Sequence, residues 1–404
     1  MVNSKCGIAN YAWLLATLGH AEWQGTHRWL LMDEGHQLEP ALVGAAQLEI
    51  TAADCSSLDI SFYLPDSLDD SEQLLDRFFA AASARVGILK SRFSKDAKSM
   101  SKDEMHQLRS LEPKVGQIGH VLWDSFDTEG GTREVNEWVV DAVDADGDTK
   151  AHVLWRPLYA KGIFQRLISP LNTRVLVTSA TLLNPESMAS WFGWDEDYDL
   201  LRLESPFHKD QRRIIYKGCG TAPVNMGNIT MQMPRIIDAM DDILDGSYAS
   251  TRKGIIHAHS FKICRMIEQL SRHKKRFICH RRGKNQAELL AEHAASPEPT
   301  ILLSPSMTEG VDLPGDLGRF AIFPKVPYPY LGDSWVKRRK EVDTNWYNEQ
   351  VAQTFVQGSG RIVRSTKDVG VTYILDGGFR QFYNRAAMSF PKWWRDSIHW
   401  TGGL

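Results

Sequence analysis

Gln357-Gly358-Ser359-Gly360-Arg361-Ile362-Val363-Arg364 closes a segment that reads as a helix from about Val351. On a helix, Gln353, Gln357, Gly360, Arg361 and Arg364 fall at i, i+4, i+7, i+8 and i+11 and share one face, while Val351, Phe355 and Ile362 take the other. Such a front carries two guanidiniums and two amides, and it suits an anion. Both arginines stay charged at physiological pH and can fork onto phosphate oxygens. The same spacing fits an amphipathic helix with a solvated basic face. The rest of the chain separates the two readings.

Working outward, short apolar runs end repeatedly in polar or small residues. They are Trp29–Met32 before Asp33, Val175–Val177 before Thr178, Gly254–Ile256 before His257, Ile301–Leu303 before Ser304, Phe320–Phe323 before Pro324, and Thr372–Leu375 before Asp376. Between helical patterns, runs of this length predict buried parallel strands, and in such sheets function gathers at the carboxyl ends of the strands. Two α/β units follow, residues 1–204 and 205–404, with a seam near Glu204-Ser205-Pro206-Phe207. The first is interrupted at about 38–165 by an insertion. Residues 66–112 of that insertion are helix-prone, and Trp138–Val143 with His152–Trp155 reads as a hairpin.

The 404 residues carry a formal net charge of -3, which excludes a surface built wholesale to coat a polyanion. Two local basic runs stand out, Arg272–Lys284, read as a solvated helix and turn in preference to a DNA contact, and Lys337–Lys340. No apolar run approaches the roughly 20 residues needed to cross a bilayer, so no membrane partner is expected. The five cysteines are scattered, which points to a reducing, cytoplasmic setting rather than a disulfide framework.

Three more stretches have chemical potential. Asp33-Glu34-Gly35-His36 follows a strand, where an aspartate can hold Mg2+ through water and a glutamate can orient a water for attack on phosphorus. Thr178-Ser179-Ala180-Thr181-Leu182 places small hydroxyl residues in a tight turn. Ser304–Gly315 is a loop after a strand, in which Glu309 and Asp312 flank Gly310 and Thr308 adds a hydroxyl that can meet a nucleic-acid phosphate. Alone, the first two read rather as an ordinary loop and a turn with local Ser/Thr bonding, and the third equally as a surface loop.

Their order decides. Asp33-Glu34-Gly35-His36, Ser179-Ala180-Thr181, His257-Ala258-His259-Ser260-Phe261, Glu309-Gly310-Val311-Asp312 and the terminal Gln357–Arg364 stretch resemble motifs II to VI of superfamily 2 helicases, in wording similar to the DinG/XPD (Rad3-like) branch. The resemblance implies two RecA-like parallel-sheet motor domains, the first N-terminally truncated and carrying a mainly helical, arch-like insertion. It implies an ATP-dependent DNA helicase that couples hydrolysis to translocation on single-stranded DNA. Asp33 would hold Mg2+, Glu34 would polarise the attacking water, and Arg361 and Arg364 would reach the γ-phosphate. His36, Gln357, Gly360, Glu309, Gly310 and Asp312 would attend the nucleotide. Ser179, Thr181, Ser260 and Thr308 would meet the DNA strand.

The pattern departs from the family in one place that matters. No phosphate-cradling Gly-x-Gly-Lys-Thr/Ser stretch precedes Asp33, and Arg281-Arg282-Gly283-Lys284-Asn285 lacks both the upstream glycine and the hydroxyl residue. Cys6 alone lies upstream of Asp33, so the iron-sulfur cluster of many relatives is not expected. Three accounts stay open on the sequence: the carboxyl-terminal piece of a helicase whose front lies in another reading frame, another chain or an omitted upstream start, a non-hydrolysing single-stranded-DNA-binding or partner-docking module, and an inactive remnant.

Overall fold

The computed structural model describes residues 7–18, 28–123, 138–145, 150–194, 198–219, 222–281, 285–307 and 311–401. The chain divides into two compact units, Met1–Asp199 with Tyr330–Val342, and Leu200–Pro329 with Asp343–Leu404. The sequence placed everything after residue 204 in the second unit. The structure instead returns Tyr330–Val342 to the first.

In the first unit, β1 (Trp29–Met32) pairs in parallel with a strand far along the chain, while β2 (Leu48–Thr51), β3 (Trp138–Val143) and β4 (His152–Pro157) form an antiparallel sheet in the order β2-β4-β3. The distant partner is β5 (Arg174–Val177), in register Trp29↔Arg174 to Met32↔Val177. The expected hairpin is thus β3–β4. Over its sheet lie helices Leu68–Asp96 and Lys102–Trp123. The first is amphipathic: Leu74, Phe78, Ala82, Val86 and Leu89 recur at helical spacing and are all buried against Leu111, Ile118 and Trp155. Full burial of a large apolar side chain is worth roughly 1.5–3 kcal/mol. The insertion therefore has its own core. A separate core, with Met32, Leu38, Leu42, Ile163, Phe164 and Phe192, supports β1 and β5.

The second unit is a seven-stranded parallel sheet. Its strands are β6 (Arg212–Tyr216), β7 (Gly254–His257), β8 (Phe277–Cys279), β9 (Ile301–Ser304), β10 (Phe320–Phe323), β11 (Gly370–Ile374) and β12 (Ile398–Trp400), in the order β12-β6-β11-β10-β7-β9-β8. Strands β7, β9 and β10 are buried at every position, as expected of strands covered on both faces. Alternation divides them between two cores. Ile256, Leu303 and Ile322 face one core, and Ile255, Leu302 and Ala321 face the other.

Two readings of the sequence change here. The Gln357 helix runs Thr344–Gly360, begun by an Asp343 cap on Trp346 N (2.9 Å), and ends before Arg361. The two arginines therefore follow the helix rather than completing its stripe. The described part of the basic run is solvated at Arg272, Lys274, Lys275 and Arg281, but it is not a helix. Within it lie a 3-10 turn, Lys274–Arg276, and the strand β8, because Phe277 and Ile278 pair with β9. Two of its arginines bond within the unit. Arg276 donates to the carbonyls of Pro299 (2.8 Å), Ala249 (2.8 Å) and Arg252 (2.9 Å), and Arg272 meets Asp245 (2.8 Å) and Asp242 (3.3 Å).

Candidate nucleotide-handling site

At the end of β1, the chain turns sharply. Glu34 takes a left-handed conformation (φ 51), which costs a non-glycine residue about 1–2 kcal/mol. Hydrogen bonds hold it there. Glu34 N donates to Asp33 Oδ1 (2.9 Å), Gly35 N to Thr178 O (2.8 Å) and Gln37 N to Glu34 O (2.8 Å). Thr178 Oγ1 donates to Asp33 Oδ1 (2.9 Å), and the Tyr11 hydroxyl donates to Asp33 O (2.5 Å). Burial, with Asp33 and Glu34 adding to it, pushes the Tyr11 phenol up to about 12, so it stays a donor.

The parallel β1–β5 pairing brings the second motif to the first. His36 Nδ1 lies 2.9 Å from Ser179 Oγ, 3.2 Å from Thr181 Oγ1 and 3.4 Å from Glu34 Oε2. Thr181 N donates to Ser179 Oγ at 3.1 Å. Ser179 and Thr181, expected at a DNA strand, are here joined to the acidic strand end through His36. The Asp33 and Glu34 side chains themselves are exposed. They are hard oxygen donors, and Mg2+ asks only one or two carboxylates while keeping several waters. The pair fits such an ion, although among the described residues no group of three or more His, Cys, Asp or Glu is arranged to hold a metal.

At Gly35 the packing leaves no room for a side chain. A Cβ there would lie 2.1 Å from Val177 Cγ1. Gly35→Ala is expected to push β5 and the acidic turn apart at a cost of about 1–3 kcal/mol, read as a lower denaturation midpoint for the first unit. An unchanged midpoint would show that the turn yields without strain.

In the second unit, Gln357 is buried within its helix, and Gly358 packs closely enough that a Cβ would sit 2.6 Å from Phe323 Cζ and 3.1 Å from His257 Nε2. Around Gly360, by contrast, a Cβ would meet nothing within 4 Å. Arg361 Nη1 donates to Val311 O at 3.2 Å, and Arg364 Nε pairs with Asp312 Oδ1 at 2.5 Å. So Asp312 is a partner of Arg364 in this structure. Asp368 orders the turn that follows, accepting from Arg364 N (3.0 Å), Ser365 N (2.7 Å) and Gly315 N (3.1 Å). Nothing in the motif wording pointed to Asp368. Ser260 caps helix Phe261–Leu270 by accepting from Ile263 N at 3.2 Å. Thr308, Glu309 and Gly310 lie outside the described residues.

His257, at the end of β7, stacks on Phe323 with centroids 4.7 Å apart, and neither ring nitrogen finds a partner of hydrogen-bond geometry. Burial pushes its pKa down to about 3, the Arg361 charge adding to the shift and the Gly358 backbone opposing it. The ring is neutral at physiological pH.

Comparison with known proteins places these geometries. Residues 247–397 match the helicase C-terminal domain family. A probable ATP-dependent helicase of Methanocaldococcus jannaschii, MJ0942, is 24% identical over 257 residues, 58% of this chain and 38% of that protein. Among solved structures, an apo XPD superposes with a TM-score of 0.56 at 14% identity, covering 97% of this chain and 80% of its own. Xpd4 of S. tokodaii does so with 0.51 at 13%, covering 92% and 75%. Residues 247–397 thus carry a helicase C-terminal domain, and the fold of the chain is similar to that of XPD. It spans 38% of the length of the curated relative it matches. The parallel pairing of β1 with β5 brings the Asp-Glu-Gly-His and Ser-Ala-Thr words, about 145 positions apart, together. Among the described residues no helix is long and apolar enough to cross a membrane.

Proposed function

We propose that this chain takes part in ATP-dependent translocation on single-stranded DNA and duplex unwinding. Asp33 would hold Mg2+ through water, Glu34 would orient the attacking water, and Arg361 would stabilise charge on the transferred phosphoryl group. Gln357 and Gly360 attend the nucleotide. Arg364 joins Arg361 once released from Asp312. The observation that carries the reading is the bonding of His36 to Ser179 and Thr181, which supports a rigid acidic strand end joined to a second motif. Preorganised charge of this kind suits phosphoryl transfer, where positioning and electrostatic stabilisation supply most of the acceleration. Mg2+, where bound, would supply positive charge against the phosphates. The protein's part is to hold the two carboxylates in place and exclude alternative geometries.

The test is ATP hydrolysis by the purified chain, with and without single-stranded DNA, and again with a polypeptide supplying a Gly-x-Gly-Lys-Thr loop. DNA-stimulated turnover in either mixture, lowered at least about 100-fold by Asp33→Asn, supports the reading. DNA binding without turnover in every mixture assigns a non-hydrolysing role instead. An unaffected Asp33→Asn variant removes Asp33 from the chemistry.

A further inference from the structure

The Lys337–Lys340 run looks like a basic surface patch, yet Arg339 is only 1% exposed. It lies on helix Ser334–Val342, in the segment Tyr330–Val342 that packs with the first unit although the chain on both sides of it belongs to the second. Its Nη2 donates to Glu39 Oε1 at 3.0 Å, and Glu39 is itself buried. The guanidinium also lies over the Tyr159 ring, 5.0 Å from its centroid. Near the start of the same segment, Asp333 takes a two-pronged bond from Arg156, 3.0 and 2.7 Å, and the Arg156 guanidinium also holds Asp141. Burial alone would raise the Asp333 carboxyl, but the Arg156 bonds outweigh it and hold it below the usual range. Trp335 Nε1 donates to Pro157 O at 2.8 Å. Asp141 and Arg156 belong to β3 and β4.

The segment therefore has two grips. One is on the β3–β4 hairpin, through Asp333 and Trp335. The other is on Glu39, in the first turn of helix Leu38–Ala46, which follows the acidic strand end through the short turn Gly35–Gln37. A buried charge pair with a planar fork fixes geometry more tightly than an exposed one. We propose that Tyr330–Val342 is a clasp, and that Arg339, by holding Glu39, is a positioning residue for the Asp33–Glu34 turn. Its consequence for turnover rests on the proposed role of Asp33. The clasp itself does not.

Hydrogen–deuterium exchange on the full chain separates these statements. Arg339→Lys keeps the charge but loses the fork. It is expected to speed exchange in peptides covering 33–46 by about tenfold or more, while β7 and β9 of the second unit stay unchanged. Asp333→Asn should instead act on 138–157. The clasp is refuted if Arg339→Lys leaves 33–46 as protected as before, or speeds exchange throughout both units together. In an assembly that hydrolyses ATP, Arg339→Lys should lower kcat with KM for Mg-ATP little changed. If exchange responds as expected and kcat does not, the clasp stands and the positioning of Asp33 falls.

Discussion

Arg361→Ala is expected to reduce DNA-stimulated ATP turnover by about a thousandfold or more, the scale of an arginine that stabilises charge on a transferring phosphoryl group. Folding should be nearly untouched. Arg361 Nη1 donates to a carbonyl, Val311 O at 3.2 Å, from a partly buried position just past the helix end. Losing one such bond costs about 1 kcal/mol and should move Tm by no more than about 4 °C in a unit of this size. Arg361→Lys, which keeps charge without the fork, should recover only part of the rate. A fall in Tm of the order of 10 °C with little effect on turnover would make Arg361 a structural residue.

The second large effect concerns acid. His257 has a folded pKa of about 3 against an ordinary value of 6.5, so the unfolded chain binds a proton there that the native chain refuses. Stability from this group is fully present above about pH 6.5 and is lost as pH falls toward 3, at about 1.4 kcal/mol per pH unit. Between pH 7 and 5, that is about 2 kcal/mol. His259 and His293, both lowered mainly by burial, act in the same direction. Asp54, Asp333 and Asp368, held below their usual range, add losses only near and below pH 4. Asp376, raised by burial, works the opposite way.

His257→Phe keeps the stack on Phe323 and removes two buried nitrogens that lack hydrogen-bond geometry. It should leave stability at pH 7 equal or about 1 kcal/mol higher, and should flatten the acid loss measured by urea denaturation at pH 7 and 5. The same pH dependence in both proteins would mean that water or a partner satisfies His257.

Much of the architecture was legible because it is written in strand ends. Apolar runs stopping at Asp33, Thr178, His257, Ser304 and Pro324 each became a parallel strand with that residue at its carboxyl end. Period and turn chemistry are local, so sequence carries them. What could not be read was long-range. Nothing near Lys337–Lys340 reveals that Arg339 meets Glu39, three hundred positions earlier. The same run of charge reads identically whether it faces water or a buried carboxylate. The basic stretch at 272–284 misled in part for a related reason: Arg276 finds carbonyls of distant turns, and Arg272 finds aspartates on the helix Ile229–Asp245. The end of the Gln357 helix was missed because Gly358 and Gly360 permit either outcome, and Asp368, which draws the next amides into a turn, lies beyond the motif.

The returning segment also limits how this polypeptide can be taken apart. A cut at Asp199–Leu200 does not yield two self-sufficient halves, because the shorter piece leaves behind the cation that neutralises Glu39, and the longer one carries a docking helix with nothing to dock on. Recombinant dissection should therefore use two co-expressed pieces, or a shortened second half in which residues 330–342 give way to a plain linker.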